Sequence, residues 1–391
     1  MSAPEVYHQV SRLIKAQIDP KVDESSVDRL CLLVTGMIKA KHAAPAQIAN
    51  ALKRMQLTGA TAESLERRIR RAENDPEISA SLCFHPFARA HLLYGHPKEL
   101  LLILDPTTQE DRIVMVSVAV WYRGRALPLA WATWAGNTAL QGDGLWKRIE
   151  WLLEQVAGIL PANVSITLMA DRAFGCPVFI DLLVKQGWHF VLRVQGQTVC
   201  QDRNGHEQSL ASFVPHQRKR KKLRGKAFKK KGWREVSVVC YWGRRHKDPL
   251  CLVSDLRPGW ELIALYRRRF PIEATFRDYK SCGWRWEQGQ VKSLAHVERL
   301  LVAMALATWI VLMAGAWQAA HLLSKRPTGH RRTLPRDGKR SLFFHGLEVL
   351  QEWILDPHPL PSIPWILTDW DAPTWSQQIL AHHANAFIRA L

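Results

Sequence analysis

Residues 99–134 read ELLLILDPTTQEDRIVMVSVAVWYRGRALPLAWATW and decide the fold class of this chain. Glu99–Leu104 is a continuous apolar run, and Arg112–Tyr122 alternates and is rich in Val. A turn containing Gly then leads into a third apolar stretch, Ala126–Trp134. Short apolar runs with β-branched residues, separated by turns, predict strands. The stretch therefore predicts a three-stranded meander, with Asp105 at the end of its first strand.

Helical and strand patterns alternate after this meander. Gly144–Leu160 is amphipathic with helical spacing, and Val164–Ala170 is a buried strand that ends at Asp171. Pro177–Gln186 predicts a second helix and His189–Val194 a fifth strand. Strands that alternate with crossover helices predict parallel pairing. The fold class is therefore α/β, with a mixed sheet and flanking helices.

The residues before the meander read as helices. Pro45–Met55 and a following helix that Thr61 caps flank a turn with Gly, which is typical of a helix-turn-helix that binds DNA. A generic helical bundle is the alternative. If the second helix reads DNA, its basic side chains make the contacts: Arg67, Arg68 and Arg71.

The composition favours a polyanionic partner. The 391 residues carry a formal net charge of +19, which suits nucleic acid or an anionic membrane surface, although a merely basic soluble protein stays open. The seven cysteines are scattered without a CxxC pair, which argues against a disulfide framework and a zinc site. The sequence begins without a secretory signal, so we expect a cytoplasmic, DNA-associated protein.

A basic segment interrupts the α/β pattern at residues 195–256. Between Arg218 and Lys231 there are ten Lys or Arg and no acidic residue, and two strand patterns follow, Glu235–Trp242 and Leu250–Ser254. We interpret the segment as a β-rich insertion with a basic loop. The loop would contact DNA through Lys219, Lys221 and Lys230. A solvated loop or a localisation signal is the alternative.

The apolar stretch of residues 300–320 has the length of a membrane span. It is rich in small residues and stands alone in a very basic chain, so we predict a buried core helix instead. The domains predicted are residues 1–88, helical and DNA-binding; 89–194 with 257–325, the catalytic core; 195–256, the insertion; and 326–391, a C-terminal region with a possible role in dimerisation.

Three acidic residues suit metal-dependent phosphodiester chemistry. Asp105 and Asp171 follow strands, and Glu273 lies on a predicted helix. Mg²⁺ prefers oxygen ligands, and two such ions stabilise the attacking and leaving oxygens of an in-line displacement. We therefore expect two Mg²⁺ ions, with Mn²⁺ as a substitute. Each acid alone has a plainer interpretation, as a turn residue, a helix cap or a surface charge.

The segment YRRRFPIEATFRDYK at residues 266–280 carries the most specific pattern. Tyr266, Arg269, Glu273 and Lys280 would lie within about 60° on one face of a helix with 100° per residue. A carboxylate flanked by cations suits a metal ion beside a DNA phosphate. A charged, solvent-facing helix is the alternative.

This spacing resembles the YREK signature of DDE transposases in the insertion sequence four group, the hairpin-forming cut-and-paste type. The segments LLLILDPTT around Asp105, ITLMADRAFG around Asp171, and HVERLLVAMALATWIVLMAG after the signature also look like core blocks of that family. The resemblance covers roughly residues 40–320.

The resemblance implies a ribonuclease-H-like catalytic core, in which the first and fourth strands are neighbours and the two aspartates meet. It implies that Asp105, Asp171 and Glu273 are the catalytic metal ligands. The expected DNA contacts near them are Tyr266, Arg269, Lys280 and Arg172. The implied activity is nicking, hairpin formation, hairpin opening and strand transfer on double-stranded DNA by a homodimer that acts in trans.

One position departs from the hairpin-forming pattern. A Trp that stacks on a flipped base is expected near Leu250, where this chain has no Trp. Trp242 could supply the platform, although a buried core Trp is equally compatible. The other functions left open are a catalytically silent DNA-binding descendant, another ribonuclease-H-like nuclease and a membrane-associated protein.

Overall fold

A ten-stranded mixed sheet with helices packed against it organises the chain. The computed structural model describes residues 3–355 and Leu367, apart from residues 58, 111, 137, 139, 141, 245, 290, 292 and 325–340. The helices are α1 (Ala3–Lys15), α2 (Glu24–Ala40), α3 (Pro45–Arg54), α4 (Ala62–Asn74), α5 (His85–Gly95), α6 (Gly144–Ile159), α7 (Pro177–Lys185), α8 (Glu261–Arg267), α9 (Pro271–Arg277), α10 (Leu294–Ser324) and α11 (Leu342–Leu355). The strands are β1 (Glu99–Gln109), β2 (Ile113–Tyr122), β3 (Arg125–Ala135), β4 (Ser165–Ala170), β5 (His189–Val194), β6 (Val199–Gln201), β7 (Glu207–Ser209), β8 (Arg220–Ala227), β9 (Arg234–Tyr241) and β10 (Leu250–Ser254).

The strand order across the sheet is β3-β2-β1-β4-β5-β10-β9-β8-β6-β7. Strands β1, β2 and β3 form the predicted antiparallel meander, and β4 pairs in parallel with both β1 and β5. This mixed sheet with flanking helices fits a ribonuclease-H-like transposase core, as the sequence predicts. The order matters for the site because it makes β1 and β4 neighbours.

The register of β1 and β4 brings two predicted acids together. Leu104 pairs with Ala170, so Asp105 and Asp171 are the next residues on adjacent parallel strands. The prediction that the first strand ends at Asp105 is wrong, because β1 continues to Gln109 by pairing with β2. Beyond Leu104 the strand pairs on one side, with β2, in the part of the chain that the structure describes, and such a one-sided strand can hold Pro106.

The insertion continues the central sheet. Strand β10 pairs antiparallel with β5, and β9 and β8 follow outward. The prediction of a basic loop is wrong over residues 220–227. These residues form strand β8, which pairs along its length with β9. The alternating burial of Leu223, Gly225 and Ala227 against β9 explains why such a charged run still forms a strand.

The long helix α10 is buried in the protein. Residues 294–319 are long and apolar enough to cross a membrane by length and composition, but 94% of the most apolar window is buried by other parts of the chain. The indole Nε1 of Trp309 donates a hydrogen bond to the Pro128 carbonyl at 2.9 Å, and Glu298 accepts hydrogen bonds from Trp131 and Thr133 of β3. These contacts hold α10 on the meander, in agreement with the predicted core helix.

The N-terminal helices pack on α10 rather than standing apart. The Thr61 side chain caps α4 by accepting the backbone N–H of Ser64, as the sequence predicts. Helix α4 is joined to α10 by the Arg299 side chain, which donates to the Asp75 carbonyl at 2.6 Å. Of the C-terminal region, residues 341–355 and Leu367 are described, and the rest lies outside the described residues.

Candidate active site

Three carboxylates lie around one arginine, beyond the last residue pair that β1 and β4 share. The Nη1 atom of Arg269 is 2.8 Å from Asp105 Oδ2, and its Nη2 atom is 3.1 Å from Glu273 Oε1. Asp171 and Glu273 are near enough for their charges to act on Asp105. The structure therefore brings together the three acids that the sequence singles out.

The local fold of the signature segment explains this placement. Helix α8 ends at Arg267, and a turn at residues 268–270 precedes α9, which has Pro271 in its first turn. Proline suits that position because its missing N–H would have no partner there. The turn points Arg269 back to Asp105 while Glu273 follows one helical turn later.

The prediction that Tyr266, Arg269, Glu273 and Lys280 share one face of a continuous helix is wrong, because the helix is interrupted at residues 268–270 and changes again after Arg277. Residues 278–282 form a π-helical turn, in which the Gly283 N–H donates to the Asp278 carbonyl at 2.8 Å. The wider turn changes the helical phase, so Lys280 no longer follows Glu273 on the same face. The Lys280 ammonium lies 3.6 Å from Glu287 Oε1 instead.

Burial and like charges set the protonation of the site. Burial raises the pKa of Asp105 to about 6, although the Arg269 charge acts to lower it, and the charge of Asp171 raises it further. Burial acts to lower the pKa of Arg269, but the surrounding negative groups raise it overall. The site is therefore partly desolvated and rich in negative charge, which favours a bound cation.

Tyr266 and Arg193 hold the second aspartate. The Tyr266 hydroxyl donates to Asp171 Oδ1 at 3.3 Å, and Arg193 Nη1 on β5 lies 3.7 Å from the same oxygen. Tyr266 is buried, and burial raises its pKa, so its hydroxyl stays protonated as a donor. The sequence reasoning missed Arg193, whose signal is a charged residue inside the apolar strand HFVLRV.

Gly175 lets the loop after Asp171 approach β5. A Cβ atom at this position would lie 2.2 Å from the Arg193 carbonyl oxygen, a distance that no side chain tolerates. Because Arg193 also contacts Asp171, this close approach positions the loop and the carboxylate together.

The donor chemistry at this site fits divalent cations. Among the residues that the structure describes, no three His, Cys, Asp or Glu side chains are arranged to hold a metal ion as they stand, and Asp105 and Glu273 are bonded to Arg269 instead. Two of the three carboxylates already share one cationic group, Arg269, and carboxylate oxygens are the ligands that Mg²⁺ and Mn²⁺ take. The residues present therefore fit the metal in charge and ligand type.

Residues 149–310 match a family model described as a transposase DDE domain. The match supports a DDE transposase. It includes Asp171 and Glu273, whereas Asp105 precedes the matched residues. No curated protein matches the chain. A transposase domain implies DNA as substrate, and DDE transposases generally use divalent metals.

The other side chains predicted to contact DNA lie after Asp171, on the insertion and on α4. Arg172 is exposed directly after Asp171. On the insertion, Lys219, Lys221 and Lys230 are exposed. On α4, Arg67 and Arg71 are exposed and Arg68 is half-buried, and Arg67 pairs with Glu63 at 3.4 Å.

Trp242 lies on the insertion and Trp260 lies just after it. Trp242 is half-buried directly after β9, and its Nε1 donates to the His246 carbonyl at 2.9 Å. Trp260, which precedes α8, carries the cationic groups of Arg220 and Lys222 over its ring, at 5.2 and 5.6 Å from the ring centroid. The sequence reasoning did not consider Trp260, because only the register of β8 places those cations beside it.

A second arginine–carboxylate pair joins the end of the signature segment to β3. Arg125 at the start of β3 forms an ion pair with Asp278, and both side chains are almost completely buried. Burial raises the pKa of Asp278, and the charge of Arg125 acts to lower it. The Arg125 guanidinium also lies 5.7 Å from the centre of the Phe343 ring of α11. This pair fixes the π-helical turn to the sheet and to the C-terminal helix.

Proposed function

We propose that the chain is a transposase of the hairpin-forming, cut-and-paste type, with Asp105, Asp171 and Glu273 as its catalytic metal ligands. The observation that carries the proposal is the proximity of these three carboxylates: Asp105 and Asp171 follow the last residue pair that β1 and β4 share, and Arg269 bridges Asp105 to Glu273. The YREK spacing supports the insertion sequence four group in particular.

The mechanism assigns the residues by their contacts. Bound Mg²⁺ or Mn²⁺ would activate the attacking water or 3′-hydroxyl and neutralise the departing oxygen. The three carboxylates would hold the ions, and Tyr266 and Arg193 keep Asp171 in position through its Oδ1 atom. Arg269 is within reach of a phosphate bound against the carboxylates, and its planar guanidinium suits bidentate contact with such an oxyanion.

The substrate would be the two terminal repeats of an element, held by a homodimer. Helix α4, with Arg67, Arg68 and Arg71, is the proposed reader of the repeat, and the insertion with Lys219, Lys221 and Lys230 is the proposed contact to the DNA backbone. Trp242 and Trp260 both lie near the insertion, and either indole can stack on an extruded base. The proposed location is the cytoplasm, in association with DNA.

A cleavage assay tests the proposal directly. Linear DNA with the repeats that flank the gene is incubated with wild type and Glu273→Gln, with Mg²⁺ and with Ca²⁺, and strands are resolved on denaturing gels. We expect Mg²⁺-dependent breaks at the repeat ends in wild type only, while both proteins bind the ends. Slowly migrating hairpin strands would support the hairpin step.

Two other results would change the assignment. Specific binding of the repeats by a folded protein that never cuts them would indicate a silent DNA-binding descendant. Cleavage of branched DNA without preference for the repeats would indicate a ribonuclease-H-like nuclease of another kind.

A further inference from the structure

The Arg269 side chain is bonded to the carboxylates that the proposed metal ions need. Its two terminal nitrogens contact Asp105 and Glu273, and its side chain is only 7% exposed. The rings of Tyr266 and Phe270 lie 5.9 and 5.3 Å from the guanidinium carbon, within range of cation–π attraction. Arg269 is thus held in place by two charges and two aromatic rings.

Arg269 and a divalent cation compete for the same ligands. A carboxylate oxygen that accepts a charged hydrogen bond is less available to a metal ion, and the two cations repel each other in a partly buried site. Asp105 is the most affected ligand because its side chain is 13% exposed and its contact with Arg269 is the shorter of the two. We therefore expect the protein alone to bind divalent cations weakly.

A DNA phosphate offers Arg269 a better alternative. The guanidinium fork matches a phosphate bidentately. Phe270 and the Glu273 side chain beside it are exposed, so solvent reaches this edge of the site. When Arg269 turns to a phosphate, the oxygens of Asp105 and Glu273 become free. A ligand that binds one arrangement of Arg269 shifts the equilibrium between the two.

We propose that Arg269 is an internal counter-ion that keeps divalent cations out of the site until a DNA phosphate draws it away, so that metal and DNA bind cooperatively. This inference rests on the proposed function, because it takes Asp105 and Glu273 as metal ligands. Linkage makes the effect reciprocal: DNA raises the affinity for metal by the same factor by which metal raises the affinity for DNA.

The test measures Mn²⁺ binding to the full chain by titration calorimetry, with and without repeat DNA. Arg269→Gln removes the counter-ion, and Arg267→Gln is the matched control, since Arg267 is exposed and precedes the same turn. We expect Arg269→Gln to raise the Mn²⁺ affinity of the DNA-free protein on the order of tenfold, within the usual range of coupling between sites. Arg267→Gln should leave it unchanged, and added DNA should raise the affinity of wild type but not of Arg269→Gln.

The outcomes separate this inference from the proposed function. Equal Mn²⁺ affinity in wild type and Arg269→Gln, with binding abolished by Glu273→Gln, would overturn the counter-ion role and leave the metal ligands in place. If no variant shows Mn²⁺ binding that depends on Glu273, even with DNA, the counter-ion role and the proposed metal ligands are both overturned. Thermal melting establishes that each variant is folded. If Arg269→Gln does not fold, Arg269→Lys replaces it, because one ammonium bonds two carboxylates less well and an intermediate affinity is expected.

Discussion

Two arginine–carboxylate contacts meet the same stretch of chain, residues 269–278, in opposite surroundings. Arg269 bridges Asp105 and Glu273, and Glu273 has a side chain that is 58% exposed. Arg125 forms its ion pair with one carboxylate, Asp278, and the two side chains are 5% and 2% exposed. The first contact places one arginine among several carboxylates near the surface. The second is a single ion pair inside the protein.

The difference shows how one type of bond serves two purposes. In the buried pair each charge needs the other, because both side chains are shielded from solvent, and removing one leaves its partner charged and unpaired. At the candidate active site Arg269 lies among more carboxylates than it can neutralise. The remaining negative charge can bind another cation. Surplus charge, rather than the presence of an ion pair, distinguishes the candidate active site from the structural contact.

The largest expected effect separates the two contacts by activity. Asp105→Asn should lower DNA cleavage on the order of a thousandfold or more, because it removes a proposed metal ligand, while end binding stays close to wild type. Gel assays of cleavage and binding on the same DNA measure both quantities. Cleavage within tenfold of wild type would mean that Asp105 is a structural residue like Asp278.

The next effect separates them by stability. Asp278→Asn should lower the free energy of unfolding by about 3–5 kcal/mol, because it leaves the Arg125 charge buried without a counter-charge. The double variant Arg125→Met/Asp278→Leu should recover most of that loss, since an apolar pair can replace a buried ion pair. Urea unfolding of the three proteins measures this. A double variant as unstable as Asp278→Asn would show that the pair supplies more than charge balance.

A buried carboxyl that makes no ion pair with any described residue sharpens the comparison. Glu73 on α4 is 4% exposed and has one buried oxygen without a hydrogen-bond partner, and burial raises its pKa to about 7. A raised pKa in the folded state means that stability falls as the pH rises from about 4.5 to 7, because the folded protein keeps a proton that the unfolded chain loses.

Glu73→Gln should therefore be more stable than wild type near pH 8, by roughly 1–3 kcal/mol, and show little difference near pH 4. Thermal melting across this pH range, with exposed Glu63→Gln as the control on the same helix, measures the difference. Parallel pH profiles for wild type and Glu73→Gln would contradict the buried, protonated carboxyl.

Replacing exposed lysines that make no ion pair should give the smallest effect per residue, on DNA binding. Lys219, Lys221 and Lys230 are exposed and make no ion pair with any residue that the structure describes. Replacing all three with Gln should flatten the dependence of DNA binding on salt, by roughly 0.9 in the logarithmic slope for each phosphate that the protein no longer neutralises. Binding measured from low to moderate salt tests this, with Lys185→Gln as a control for a lysine paired to Glu150. An unchanged slope would place the DNA elsewhere.

The sequence predicted most of the α/β core because its apolar runs are long and each ends at a clear turn. The strand before Asp171 and the strand at residues 189–194 were both recognised, and the predicted helix start at Pro271 is confirmed. The rest depends on tertiary contacts. Strand β8 is stabilised by its pairing with β9. Its many lysines replace the apolar alternation by which a strand is recognised in a sequence.

The site was predictable in its acids and less so in its supports. Asp105, Asp171 and Glu273 stand out because each breaks an apolar or regular pattern. The Arg193 contact with Asp171 and the Arg125 pair with Asp278 depend on neighbours far away in the chain. The position of Lys280 depends on a π-helical turn, which residue propensities do not predict.

The separation of the three acids along the chain has a consequence for synthesis. Asp105 and Asp171 can meet once β5 has left the ribosome, but Glu273 and the buried helix α10 follow much later. At roughly 5–20 residues per second, the chain needs on the order of ten seconds between the first and last acid. If the three acids are the proposed metal ligands, a nascent polypeptide cannot assemble the site before Glu273 has left the ribosome.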